Sequence, residues 1–300
     1  YSWLDSFYED LVIAGDYEVA DVSDTDGDGI LAWQEYQAGS DPTAGPVTNG
    51  VWINDDTAAV NWSDPANWQN GNIAYGAGSV ATIELNHLVG KTVNLEADIV
   101  IGELTYRDNG TVNRDMILSS ENSSRLIMAG GGGIPKIWAK NRTIHLDLVI
   151  AGEDGLELEA GSGLTLQRRN SYSGTTTILP GNGTIKTIFP GDFGESDLVV
   201  RGVLSIDHGR ALKSHATLSV ESGGTLDLNF TSAVSGEADY GDLEVAALTL
   251  GGVAQGEGVY SATTHPAFFS GAGEVVVGGS TGNFQLSVLS ETSLSWSSES

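Results

Sequence analysis

Four carboxylates in one short stretch are spaced to hold a metal ion. The stretch is Ser23 to Thr43, SDTDGDGILAWQEYQAGSDPT. With Asp24 at the first loop position, Asp26 is third, Asp28 fifth, Gly29 sixth, Ile30 seventh and Glu35 twelfth. That order supplies three side-chain oxygens, a glycine for a sharp turn, a backbone carbonyl and a bidentate carboxylate. Such an oxygen cage suits a hard divalent cation, Ca2+ above all. Ala32, at the ninth position, offers no oxygen, so water is expected there. The expected ligands are therefore Asp24, Asp26, Asp28, the Ile30 carbonyl and Glu35. Carboxylates this close repel one another without the ion, so binding is expected to be coupled to ordering of the segment. Calcium sensors use paired loops and Met-rich grooves. This chain has a single loop and two Met, which points to a structural clamp and not a switch.

The remaining residues that could do chemistry are sparser. Arg201, Asp207, His208 and Arg210 form one local group, and Arg168 with Arg169 another. Either could serve a carbohydrate-active site, which needs paired carboxylates or a cation gathered on one face. No catalytic pattern accompanies them, and no catalytic residue is assigned. The five His show no metal-ligand spacing, and nucleophile-elbow, phosphate-loop and dinucleotide fingerprints are absent. Gly130 to Gly133 is a glycine run with no helix after it, so it is expected to be a turn. Trp52, Trp62 and Trp68 fall in a turn-rich segment and are expected to cap a core end, with a ligand platform as the alternative. N-x-S/T sequons at Asn61, Asn109, Asn122, Asn141, Asn182 and Asn229 fall near turns.

Composition bounds the elements that position these residues. The chain has 300 residues, 40 of them Gly, no Cys, and a formal net charge of −27. Disulfide and thiolate chemistry are excluded, and so strong a negative charge disfavours nucleic acid as a partner. No apolar run is long enough to form a membrane-spanning helix. A chain opening on Tyr1 is expected to be a processed or excised segment. Trp3, Leu4, Phe7, Tyr8 and Leu11 lie on one helical stripe, and a second helix is expected from Leu31 to Ala38, ended by Gly39. Residues 1–45 thus read as a helical calcium module and residues 46–79 as a Trp-rich cap or linker.

From residue 80 to 279 short alternating strands follow one another, among them ATIEL, DIVIGELTY, TIHLDLVI, GTIKTI and LEVAALTL. Glycine-led strands recur at Gly163, Gly183, Gly202 and Gly224, a spacing of about 20 residues that matches one coil of a solenoid. The expected fold is mainly β, a parallel β-helix, with a β-sandwich or jelly roll as the alternative. The sandwich predicts hairpins, for which Asn109-Gly110 is the best turn signal. Residues 280–300 read as C-terminal strands able to pair with another chain.

Three segments carry a resemblance. The first 45 residues, ending in GSDPT, resemble the single EF-hand-like calcium modules of large secreted bacterial proteins, and are similar to the loops of dockerins and thrombospondin type 3 repeats. LTLQRRNSYSGTTTILPGNGTIK resembles the autotransporter-associated β-strand repeat, with Asn170, Tyr172, Gly174, Thr176 and Ile178 at the motif positions. LTLGGVAQGEGVYSATTHPAFFSGAGEVVVG is similar to the closing segment of such passengers. The resemblance implies a right-handed parallel β-helix, export and a cell-surface or extracellular role, without implying one activity. These 300 residues show no segment resembling that family's membrane barrel, so self-translocation is not expected from them.

The expected function is that of a secreted structural protein, a subunit of an extracellular filament or surface layer. It would self-associate head to tail by β-strand addition and be stabilised by calcium. The alternative is a carbohydrate-binding or polysaccharide-degrading surface β-helix, with glycans as partners.

Overall fold

The structure is a computed structural model and describes residues 47–55, 59–86, 90–110, 115–120, 122–230 and 242–278. The calcium ligands Asp24, Asp26, Asp28, Ile30 and Glu35, the helical module over 1–45 and the strands expected over 280–300 lie outside the described residues.

The period-two segments form strands of two to six residues, numbered in chain order. A first sheet stacks β1 (Gly50–Val51), β3 (Val80–Leu85), β6 (Glu103–Asp108), β9 (Lys136–Ala139), β12 (Leu156–Ala160), β14 (Thr175–Ile178), β16 (Asp197–Val200), β18 (Thr217–Val220) and β21 (Ala247–Leu250), and ends on β22 (Val253–Ala254). A second sheet stacks β2 (Ala59–Asn61), β4 (Lys91–Leu95), β7 (Met116–Ser120), β10 (Thr143–Asp147), β13 (Gly163–Leu166), β15 (Thr184–Thr187), β17 (Val203–Ile206), β19 (Thr225–Leu228) and β24 (Phe269–Gly271). A third, smaller sheet holds β5 (Ile99–Ile101), β8 (Arg125–Met128) and β11 (Val149–Ala151), and a fourth holds β20 (Leu243–Val245), β25 (Glu274–Val277) and β23 (Gly258–Ser261).

From β1 to β21 consecutive strands fall in different sheets, and along the first and second sheets each strand up to β21 pairs in parallel with the strand of that sheet in the neighbouring coil. Along the second sheet Ile144 pairs with Leu164, Leu164 with Ile185, Ile185 with Leu204 and Leu204 with Leu226, steps of 20, 21, 19 and 22 residues. The protein is therefore mainly β, with stacked parallel sheets compatible with a β-helix or solenoid. A sandwich would join consecutive strands by hairpins. Here Asn109-Gly110 joins no hairpin, because β6 lies in the first sheet and β7 in the second, each paired in parallel with other strands. Among the described residues the antiparallel strand pairs are β21 with β22 and β23 with β25, both near the C-terminal end.

The core is a set of inward ladders. In the first sheet Leu104, Ile137, Leu158, Ile178, Val200 and Val220 pair in turn, and all are buried. Each coil repeats the same inward position, so the apolar column runs on from coil to coil, and burying it is what stabilises the stack. The Trp segment belongs to this stack: β1 pairs with β3 and β2 with β4. Trp52, Trp62 and Trp68 are each at most 1% exposed and pack edge to face, with ring centroids 5.0 and 4.9 Å apart. The Trp68 indole N–H donates to the Trp62 carbonyl at 2.7 Å, and that of Trp52 to the Asn54 carbonyl at 3.0 Å. They close the N-terminal end of the core and leave no aromatic face for a ligand. Lys91 is buried at the head of the Met116, Ile144, Leu164 ladder, its Nζ donating to Asn54 Oδ1 at 3.1 Å.

Candidate functional site

The chain leaves β13, β15 and β17 of the second sheet through loops, and these three loops with the start of β20 build a pocket. Arg169 follows β13, Pro190 and Gly191 follow β15, Gly209 to Ser214 follow β17, and Asp242 to Glu244 lead into and form part of β20. Together they line a pocket of about 390 Å³. The loops stack by their backbones: the Asn170 N–H donates to the Gly191 carbonyl at 3.0 Å, and the Gly191 N–H to the Arg210 carbonyl at 2.8 Å. Gly191 has φ +75°, and a Cβ there would stand 3.1 Å from Arg169 Cγ. A glycine at this point both makes the turn and leaves the Arg169 stem room to lie across it.

The charge of the pocket is mixed. Arg169, Arg210 and Lys213 line it together with Asp242 and Glu244, and the buried Leu212 adds an apolar wall. Lys213 Nζ pairs with Glu195 at 2.7 Å, and this bond holds the Glu195 carboxyl below the usual range. Asp242 Oδ1 is buried without a hydrogen-bond partner. Arg169 has no ion pair among the described residues.

The two cationic groups picked out in the sequence are regrouped by the coils. Arg168 points away from Arg169 and pairs with Asp147 at 2.6 Å. Arg201 pairs with Glu221 at 3.0 Å, and Asp207 with Lys186 at 2.7 Å. His208 is buried, and its Nδ1 accepts the Arg210 backbone N–H at 3.1 Å. Of the six residues, only Arg169 and Arg210 meet at the pocket. Lys213, Asp242 and Glu244 carried no local motif. Steps of about 20 residues from Arg169 reach Gly191 and then Arg210, next to Lys213, but not Asp242 or Glu244.

The motif positions Asn170, Tyr172, Gly174, Thr176 and Ile178 are structural in this fold. Asn170 is 6% exposed; its Oδ1 accepts the Ile150 N–H at 2.8 Å and its Nδ2 donates to the Asp192 carbonyl at 2.6 Å. The buried Tyr172 hydroxyl reaches the same carbonyl at 3.3 Å, and burial raises its pKa. Thr176 and Ile178 point inward from β14. The glycine run forms a turn closed by the Gly133 N–H on the Gly130 carbonyl, with Asp154 accepting the Gly130 N–H at 2.9 Å. Of the sequon residues, Asn141 exchanges two hydrogen bonds with the Asp108 backbone, and the Asn229 amide donates to Ser205 and Asp227. Asn109, Asn122 and Asn182 are exposed.

Among the described residues no group of three or more His, Asp or Glu forms a metal site, and no helix is long and apolar enough to cross a membrane. A scan against protein-family models finds no match to this chain, and searches of curated proteins and of solved structures likewise find none.

Proposed function

We propose that the chain is a secreted structural protein: a right-handed parallel β-helix that assembles head to tail into an extracellular filament or surface layer, with calcium bound at Asp24, Asp26, Asp28, Ile30 and Glu35. The observation that carries this reading is the second sheet. Among the described residues β2 pairs only with β4 and β24 only with β19, so within those residues each terminal strand of the second parallel sheet has one edge without a strand. An open edge of this kind templates addition of a further strand. The first sheet is different at its C-terminal end, where the antiparallel β22 covers β21. Addition is thereby directed to the second sheet. A contact joining one end of a subunit to the other end of the next is heterologous, and such contacts propagate as filaments when the rotation does not close.

Negative-stain microscopy of the 300-residue chain with calcium tests this reading against a chain ending at residue 279. Residues 280–300 would supply the strand added to the next subunit's open edge, so the expected result is filaments or sheets from the first and single particles from the second. Dispersed particles from both would overturn it.

A further inference from the structure

We propose that the pocket lined by Arg169, Arg210 and Lys213 binds a carboxylate-bearing sugar, such as a uronic acid unit of an acidic polysaccharide. The site is independent of the assembly proposed above, and either reading can fail alone.

The first argument is charge. In a chain of net charge −27, with 13 Lys plus Arg against 40 Asp plus Glu, a free guanidinium is unusual. Arg125, Lys136, Arg168, Lys186, Arg201 and Lys213 each hold a carboxylate at 3.0 Å or less. Arg169 has no such partner among the described residues, yet it lines a pocket with two further cations. Its planar fork matches a carboxylate in two parallel hydrogen bonds, which an ammonium cannot offer.

The second argument is the opposite wall. Asp242 and Glu244 line the same pocket, and Asp242 Oδ1 is buried without a partner. These groups accept hydrogen bonds from hydroxyls. A bare inorganic anion would meet the cations but be repelled by both carboxylates. A neutral sugar would satisfy the carboxylates and leave Arg169 unanswered. A ligand bearing one carboxylate and several hydroxyls satisfies both walls, and the Leu212 side chain offers an apolar surface to sugar C–H groups. The volume of about 390 Å³ falls in the range of small-molecule sites, roughly 300–1,000 Å³. Four consecutive coils build the pocket, so it lies along a repeating face on which a polymer can continue.

The test is isothermal titration calorimetry of the full chain in calcium, with digalacturonate as the probe and maltose, sodium sulfate and glutamate as comparison arms. Digalacturonate is expected to bind, more weakly as salt rises, and the other three are not. Arg169→Met keeps the aliphatic stem over Gly191 and is expected to lower affinity by about tenfold or more at unchanged melting temperature. Arg107→Ala, an exposed arginine on the first sheet, is expected to leave it unchanged. If Arg169→Met does not fold, Arg169→Lys carries the test, with a loss of about threefold expected from the missing fork. Absence of binding by digalacturonate, equal binding of maltose, sulfate or glutamate, a loss in Arg107→Ala matching that in the Arg169 variant, or wild-type affinity in the Arg169 variant that folds would each overturn the proposal.

Discussion

The Asn170 amide joins three coils, taking the Ile150 N–H from one and giving to the Asp192 carbonyl of another. Ile150 lies in β11, the last strand of the third sheet, and Asp192 in a turn, so an apolar residue at 170 takes the acceptor from the Ile150 N–H, at about 1–3 kcal/mol, and leaves the Asp192 carbonyl only the longer Tyr172 bond. Carboxylates serve the same end on the surface. Asp98 accepts the Arg125 N–H at 2.7 Å, Asp197 the Thr217 N–H at 2.7 Å and Asp154 the Gly130 N–H at 2.9 Å, each from a neighbouring coil. Part of the acidic excess is thus fastening between coils. Asp192 is the costly member of the set. It is fully buried; its Oδ2 accepts the Ile188 and Phe189 N–H groups, while Oδ1 has no partner. Burial pushes its carboxyl up to about 7, against the two N–H bonds that pull it down. The folded chain then keeps a proton that the unfolded chain releases near pH 4, so this group's contribution to stability falls as pH rises from about 4 to about 7. Asp192→Asn keeps an acceptor for the two N–H groups and removes the ionisation. It is expected to melt above the wild type at pH 8, by roughly 2 kcal/mol in stability, and to flatten the decline between pH 5 and 7. Melting curves across that range check it, and an unchanged wild-type slope in the variant would refute the assignment.

At the scale of elements, the sequence made the strands legible because one face of each is buried, which writes a period of two into the chain. Glycine-led strands at about 20-residue spacing made the coils legible for the same reason: stacking demands the same inward residue once per turn. The corners were not legible. DIVIGELTY reads as one strand and is two, β5 and β6, with the turn at Gly102; TIHLDLVI divides at Leu148 into β10 and β11, and LEVAALTL at Ala246 into β20 and β21. Apolar residues continue through these bends because the inside of a corner is still the inside of the coil, so periodicity carries no mark of the change of sheet. The pocket was hidden for a related reason. Its residues lie one coil apart, and local spacing paired Arg168 with Arg169 when the fold pairs Arg169 with Arg210. Gly174 shows what the corners require. Its φ is +85°, and a Cβ there would lie 2.7 Å from the Gly155 backbone nitrogen. Gly174→Ala combines left-handed strain with a backbone collision and is expected to lose about 2–3 kcal/mol. Urea unfolding should show a lower midpoint with an unchanged slope. A midpoint within error of the wild type would show that the two coils can move apart there.

For the whole molecule, the net charge sets the terms of assembly. Subunits of charge −27 that share a sheet would bring their end coils about 4.8 Å apart, well inside the Debye length at any ordinary ionic strength. Repulsion between ends therefore opposes strand addition most at low salt, where it extends to about 30 Å, and less at about 0.15 M, where it is screened beyond about 8 Å. On the proposed reading calcium would act on the same balance in a second way, because a filled loop would replace four mutually repelling carboxylates by a site of lower charge. The two effects separate by experiment. Light scattering should show slow or absent assembly in about 10 mM salt with a chelator, and faster assembly when sodium chloride is raised. Calcium at equal ionic strength should add a further increase that Glu35→Gln removes while leaving the salt effect in place. If sodium chloride matched for ionic strength reproduced the whole calcium effect, the ion would be acting as a screen and not as a ligand of Asp24, Asp26, Asp28 and Glu35. Chelation of the single chain bears on the same distinction. It should lower or release a first melting transition and leave a second, because the ladders from Leu104 to Val220 are built of apolar side chains, which are not metal ligands. One merged transition, lost on chelation, would mean that the loop is part of the core that those ladders build.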